Sequence, residues 1–316
     1  MAALLSDVVA ASTAYCPGHV TSIFAPAALP RGTDILSKGS VGAGFSISKG
    51  ITTTARAFEA ETKGYSISIN GIQAPKAAVS SYVVEHYLRL TDRPAFLQIS
   101  HEAEIPIGFG LGSSGAGAVS LSYALNDLLK IGLDKVEAAQ IAHCADVECK
   151  TGLGTVAALY AGGYEIRLKP GAPGRGLTLS KDLDEYVATI LCISPVSTKK
   201  ILSDPMIDSG SKNCCTPALL NRLISADDVE GLLETSFRLA DSLGLTGGIC
   251  GPPIRALKSK GFKGSVALFG RTVFTITRRE RAEEVRACLG KFSGSLIEAN
   301  IDSMGPRIVC ESKYAN

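Results

Sequence analysis

Apolar and polar positions change period several times along the chain, and each change predicts an element. Residues 45–58 (FSISKGITTTARAF) and 65–69 (YSISI) set apolar residues against Ser and Thr at every second position, which predicts half-buried strands and an antiparallel start to the fold. Residues 77–90 (AAVSSYVVEHYLRL) return to helical spacing, and Pro94 stops that helix before a short strand, AFLQIS, at 95–100. Two further helices are predicted over 118–130 and 134–150. The run VATILCI at 187–193 reads as a buried strand, and residues 229–243 are helical with Gly244 as the stop. SVALFGRTVFTITRR at 265–279 predicts two short strands broken at Gly270, followed by a helix over 280–292. The first two thirds are glycine-punctuated and the last third has longer helices. That shift predicts a boundary near 185, with one domain over 1–185 and a small α+β unit over 186–316.

Length and charge narrow the function. A chain of 316 residues can bury a sizeable core without covalent staples. With 32 Lys and Arg against 30 Asp and Glu, the formal net charge is +2, too small a field to draw a polyanion or a membrane surface. Basic residues 278, 279, 281 and 286 interleave with Glu280, Glu283 and Glu284, the pattern of a solvated helix face. Neither nucleic acid nor membrane is therefore an expected partner, and a small molecule is. The nine cysteines include no CxxC pair and no His at zinc-ligand spacing, so reduced thiols in a cytoplasmic setting are expected rather than a structural metal. The opening MAALLSDVVAAS has no basic segment and carries Asp7, so neither a leader nor a span is expected there. A homodimer is left open.

The densest chemical signal is Pro106-Ile-Gly108-Phe-Gly110-Leu111-Gly112-Ser113-Ser114-Gly115-Ala116-Gly117, which runs straight into a helical pattern. Side-chain-free residues let the backbone approach phosphate oxygens, and the helix start adds free N–H groups and a favourable dipole. Ser113 and Ser114 add hydroxyls for phosphate or Mg²⁺. A Walker A loop is excluded because it needs Lys before Ser or Thr. Gly110-x-Gly112-x-x-Gly115 fits the dinucleotide fingerprint, but it is reached through the polar stretch HEAEIP rather than directly from a strand. Close helix packing is the third explanation.

PIGFGLGSSGAG resembles the phosphate loop of the GHMP small-molecule kinases. CPGHVT at 16–21, GSVGAG at 39–44, TGLGTVAALYAGGYEIRLKPGAPG at 151–174, VSTKKILSDP at 196–205 and VALFGRTVF at 266–274 are similar to the archaeal pantoate kinase branch of that family. The blocks span nearly the whole chain in the family's order. The resemblance implies an α+β GHMP kinase fold, with an N-terminal domain like domain 2 of ribosomal protein S5 and a ferredoxin-like C-terminal domain. It also implies ATP and Mg²⁺ as cofactors, a small hydroxy acid as acceptor, and phosphorylation of pantoate for coenzyme A synthesis. A mevalonate 3-phosphate kinase of the same fold and a catalytically decayed binding protein are the alternatives.

The resemblance also implies roles. Ser114 touches Mg²⁺ or phosphate, and the second metal ligand comes from the helix over 134–150, where the family has Glu and this chain has Asp146. Ala139, His143, Asp146 and Lys150 share one helical face while Glu148 points nearly opposite, so Asp146 is the candidate, with a plain pairing to Lys150 as the competing reading. Arg167 in GGYEIRL stands where the family contacts the acceptor's carboxylate, a group suited to a guanidinium. Ser40 and His19 are acceptor-side candidates. Two departures stand out. Thr155 replaces the family's catalytic Asp, and threonine cannot be a general base near neutral pH. Loss of activity, a changed substrate and a substrate-assisted route are all open at that position. Residues 20–39 also lack the His that leads into the family's GSxGAG block. His86 and His101 carry no motif, and Gly247–Pro253 reads as a turn.

Overall fold

The fold is a computed structural model that describes residues 8–27, 30, 32–92, 94–196, 217–226 and 228–314. Two long strands, β1 (Val8–Pro26) and β2 (Ser40–Glu59), pair antiparallel along most of their length and form the spine of the first sheet. Irregularities between Pro17 and Gly18 and between Thr21 and Ile23 bend the pair. Pro17 is tolerated inside a paired strand because it falls at the first of these. β1 was not predicted from periodicity. From Tyr15 to Ala25 every residue is buried, so its two faces do not alternate in polarity.

β3 (Gly64–Ile69), β4 (Ile72–Gln73) and β5 (Ala95–Ala103) extend the sheet on one side of β2, with β3 and β5 parallel. β6 (Tyr164–Lys169) pairs with the first part of β2, and β7 (Leu177–Lys181) pairs with β6. Four helices accompany this sheet: α1 (Ala78–Leu90), α2 (Ser113–Leu129), α3 (Lys135–Glu148) and α4 (Thr155–Ala161). α2 is buried nearly all round, which explains its small residues and its weak amphipathic signal. It begins at Ser113, five residues before the predicted start, because Gly115 and Gly117, poor helix formers in isolation, are held by the core around them. α3 opens with a reciprocal cap between Asp134 and Glu137.

β8 (Tyr186–Ser194) starts a second sheet. α5 (Pro217–Ala226), α6 (Val229–Ser242) and α7 (Gly251–Ser259) precede β9 (Ser265–Val266) and β10 (Arg271–Arg278). α8 (Ala282–Leu289) and β11 (Ser295–Asn300) follow. The spatial order β11-β8-β10-β9 with antiparallel pairing is the ferredoxin-like split βαβ arrangement. β12 (Arg307–Tyr314) returns to the first sheet beside β1. The architecture is α+β, as expected. Gly247–Pro253 is a tight helical turn that leads into α7. Among the described residues no helix is long and apolar enough to cross a membrane, and no cluster of three or more His, Cys, Asp or Glu could hold a metal. The seven described cysteines are free and four of them are buried; Cys214 and Cys215 lie outside the described residues, as do positions 197–205 of the VSTKKILSDP block.

Candidate functional site

The site is a cleft where the loop before α2, the turn before α4, the glycine end of β2 and the β9–β10 turn meet. Gly108, Gly110 and Gly112 have φ of +87°, +75° and +69°, a left-handed backbone that L side chains avoid. A Cβ at Gly110 would lie 2.7 Å from the carbonyl carbon of Phe269, so this glycine also lets the loop press on the β9–β10 turn. The loop is held from outside: Val196 N–H donates to the Gly108 carbonyl, Thr272 Oγ1 to the Phe109 carbonyl, and His19 N–H to the Leu111 carbonyl. Gly112 begins α2 and no side chain caps it. The amides of that first turn thus take no side-chain cap and stand at the positive end of a 17-residue helix, where an anion is favoured. Gly108, Gly110, Leu111, Gly112, Ser113 and Ser114 all line the cleft. Gly115, Ala116 and Gly117 are buried inside α2, and Pro106 stands outside the lining.

Asp146 and Ser114 come together as the sequence suggested. Asp146 is 2% exposed, and its Oδ1 accepts from Ser114 Oγ at 3.0 Å and from Thr151 Oγ1 at 2.6 Å. Burial pushes the Asp146 carboxyl above the usual carboxylate range, and the two hydroxyl bonds draw it partly back. The competing pairing does not form: Lys150 is exposed, ends the helix in a left-handed conformation, and makes no ion pair with Asp146. Glu148 is exposed and points away. One carboxylate beside a hydroxyl suits Mg²⁺, which keeps several waters and takes its other ligands from phosphates. Thr155, the first residue of α4, lies across the turn: a Cβ on Gly152 would sit 2.1 Å from Asp146 Oδ2 and 3.0 Å from Thr155 Oγ1. The methyl of Thr155 packs on Gly112 and Gly115, so the turn before α4 rests directly on the loop.

Opposite the loop, Arg167 and Ser40 line the cleft and both are 2% exposed. Arg167 Nη1 donates to Glu165 Oε1 at 2.5 Å, and Nη2 reaches the Ile23 carbonyl at 3.5 Å. Arg167 Nε and Ser40 Oγ have no partner among the described residues, and both flank Gly154, whose Cβ would lie 2.2 Å from Ser40 Oγ and 3.1 Å from Arg167 Nε. Leaving a buried donor unpaired costs about 1–3 kcal/mol, so this corner favours a ligand that accepts hydrogen bonds. His19 stands behind the lining, buried, with Nε2 2.8 Å from Glu165 Oε1 and Nδ1 3.3 Å from Thr21 Oγ1. Burial holds the His19 ring below its ordinary pKa, against the opposing effect of Glu165. Phe24 and Phe269 form an aromatic wall, edge to face at 4.9 Å. Residue reasoning missed Thr151, Thr21, Glu165 and both phenylalanines. Only Glu165 left a signal, being two positions from Arg167 on one strand and hence on the same face.

A second, more apolar cavity adjoins the cleft and shares Ser113 and Ser114 with it; Ile51, Ile69, Val79 and Ile107 line it, and His101 is at its base. The model of the GHMP kinases N terminal domain matches residues 76–163. A pantoate kinase of Methanocaldococcus jannaschii is 30% identical over 279 residues, covering 87% of this chain and 96% of that protein. One from Thermococcus kodakarensis is 28% identical over 304 residues, covering 93% and 97%. A solved structure described as a phosphotransferase related to the CoA biosynthesis pathway has a TM-score of 0.83 at 27% identity, covering 94% of this chain and 98% of its own. The matched domain model spans both the glycine loop and Asp146, and with a relative 30% identical over 87% of this chain it shows that the chain belongs to the pantoate kinase family of the GHMP kinases.

Proposed function

We propose that this chain is an ATP-dependent kinase that phosphorylates pantoate to 4-phosphopantoate. The observation that carries the reading is the meeting, in one cleft, of a glycine loop built for phosphates with a buried, partner-seeking Arg167 and Ser40 suited to a small acid. Residues 1–185 and 186–316 are read as the two units of the enzyme, the loop belonging to the first and the wall residue Phe269 to the second.

Phosphoryl transfer asks the protein for position and charge balance. The amides of 108–115 would hold the triphosphate, and the adjoining apolar cavity would take the nucleoside. Asp146 and Ser114 would hold Mg²⁺, which when bound neutralises charge on the phosphates. Arg167 and Ser40 would grip the acceptor's carboxylate and leave its hydroxyl beside Thr155 and Gly154. Thr155 orients that hydroxyl without ionising it, and in a loose transition state a phosphate oxygen can take the proton late.

Release of ADP, followed with Mg²⁺ and ATP over a panel of hydroxy acids, tests this. Turnover with pantoate is expected. Turnover of mevalonate 3-phosphate without pantoate turnover overturns the substrate assignment. Nucleotide binding by calorimetry with no turnover of any acceptor identifies a binding protein in place of an enzyme.

A further inference from the structure

On the strand pairing of β1, β2 and β6, Thr21 lies opposite Gly44, and Gly44 lies opposite Glu165; Gly42 lies opposite Arg167. The middle strand is therefore bare where its two neighbours carry functional side chains. The bareness is required twice over: a Cβ at Gly44 would lie 2.4 Å from the Val20 carbonyl oxygen and 2.6 Å from His19 Cε1 and Nε2, and one at Gly42 would lie 2.1 Å from the Ile23 carbonyl oxygen and 3.0 Å from Arg167 Nη2. Through this gap His19, from β1, reaches across β2 to Glu165 on β6. Glu165 is fully buried and its Oε1 accepts from both His19 Nε2 and Arg167 Nη1. Burial disfavours the charged ring, and a neutral His19 that donates from Nε2 to Glu165 accepts at Nδ1 from Thr21 Oγ1. Glu165 thereby ties down one nitrogen of the guanidinium and leaves Nε, next to Ser40 Oγ, without a partner among the described residues.

We propose that Glu165 is a positioning residue for the acceptor: held by His19 across the glycine gap, it fixes Arg167 by Nη1 so that the Nε edge, with Ser40, is presented to the acceptor's carboxylate. The inference rests on the pantoate reading of the cleft. It makes Glu165 part of acceptor selection without contact to the acceptor.

The test is Glu165→Gln in the full-length chain. Gln keeps the shape and one acceptor but loses the charge-assisted bond, so the KM for pantoate is expected to rise roughly 10- to 100-fold. The KM for ATP should stay within about twofold, a split that a general loss of structure would not produce. Glu165→Asp, which keeps the charge but draws the carboxylate back by one bond, should show the same split at smaller size, and it carries the test if the Gln variant does not fold. On an Arg167→Lys background Glu165→Gln should add less than about twofold, because its effect passes through Arg167. Glu165 variants with unchanged pantoate KM, or with pantoate and ATP KM raised alike, overturn the inference while leaving the substrate assignment in place. A wild-type protein that neither turns over pantoate nor is thermally stabilised by it overturns the substrate assignment first, and this inference with it.

Discussion

Replacing Asp146 by Asn removes a charge from just behind Ser114 and Thr151 of the cleft lining and almost nothing else. The carboxylate is 2% exposed, and no cation among the described residues pairs with it. In the ligand-free protein an ionised Asp146 is thus a buried charge with two hydroxyl bonds as its compensation, and such a charge costs several kcal/mol relative to water. Asn still accepts from Ser114 and Thr151 through its amide oxygen, and it loses about 1 kcal/mol per bond as each becomes neutral. The balance favours the variant by about 1–2 kcal/mol, which for a chain of this size raises Tm by roughly 1–3 °C. The gain should depend on pH. Because burial raises the folded-state pKa of Asp146, the penalty is complete above that value and is relieved as pH falls through it, where the native carboxyl takes up a proton that the unfolded chain does not hold. The two proteins should therefore converge in Tm towards acid. Melting both in metal-free buffer from about pH 8 down to about pH 4 reads this directly, and ADP release should fall at least about 100-fold if the variant lacks, as proposed, the carboxylate that holds Mg²⁺. A variant that melts several degrees below the parent at neutral pH, or that keeps its turnover, would show that Asp146 is there for the fold and not for the reaction.

Three further outcomes are expected. His101 is 3% exposed between Thr53 Oγ1 and Ser80 Oγ, and burial pushes its pKa down from 6.5 to about 4. The unfolded chain protonates this ring first, so it withdraws about 3 kcal/mol of stability as pH falls through that window, and His101→Gln should flatten that part of the acid limb in urea unfolding. Gly110→Ala forces a side chain onto a left-handed residue, at about 1–2 kcal/mol, and drives its Cβ against the Phe269 backbone. It should raise the KM for ATP more than that for pantoate, and equal effects would count against the loop as the phosphate site. Thr155→Asp supplies a base where the acceptor hydroxyl is proposed to lie, so kcat should rise about tenfold or more; an unchanged or lower kcat would remove Thr155 from the acceptor's surroundings.

Much of this was legible in residue order because the determinants are local. The glycine loop announces itself, since left-handed turns and close phosphate approach need the same residue at fixed intervals, and Gly108, Gly110 and Gly112 do adopt that backbone. The helical turn of 100° per residue separates Asp146 from Glu148 without any knowledge of the fold. Gly244 ends its helix where expected, with φ of +70°. Beyond such local rules the chain alone is silent. β1 and β6 are buried on both faces and so lack the alternation by which a strand is recognised.

The partners of the functional side chains were decided by tertiary structure. Asp146 could have paired with Lys150 by spacing alone, but α3 packs against α2 and brings Ser114 to it instead. Arg167 was marked in the sequence through the family resemblance, and it is the order of strands around β2 that buries it with Glu165. His19 and Glu165 are 146 positions apart, and they meet only because the strand between them carries hydrogen where other residues carry a side chain. Sequence determined which groups could bind phosphate and carboxylate, since that depends on residue type and short-range geometry. Which of them share a cleft, and at what orientation, depends on contacts between distant segments whose energies no local pattern records.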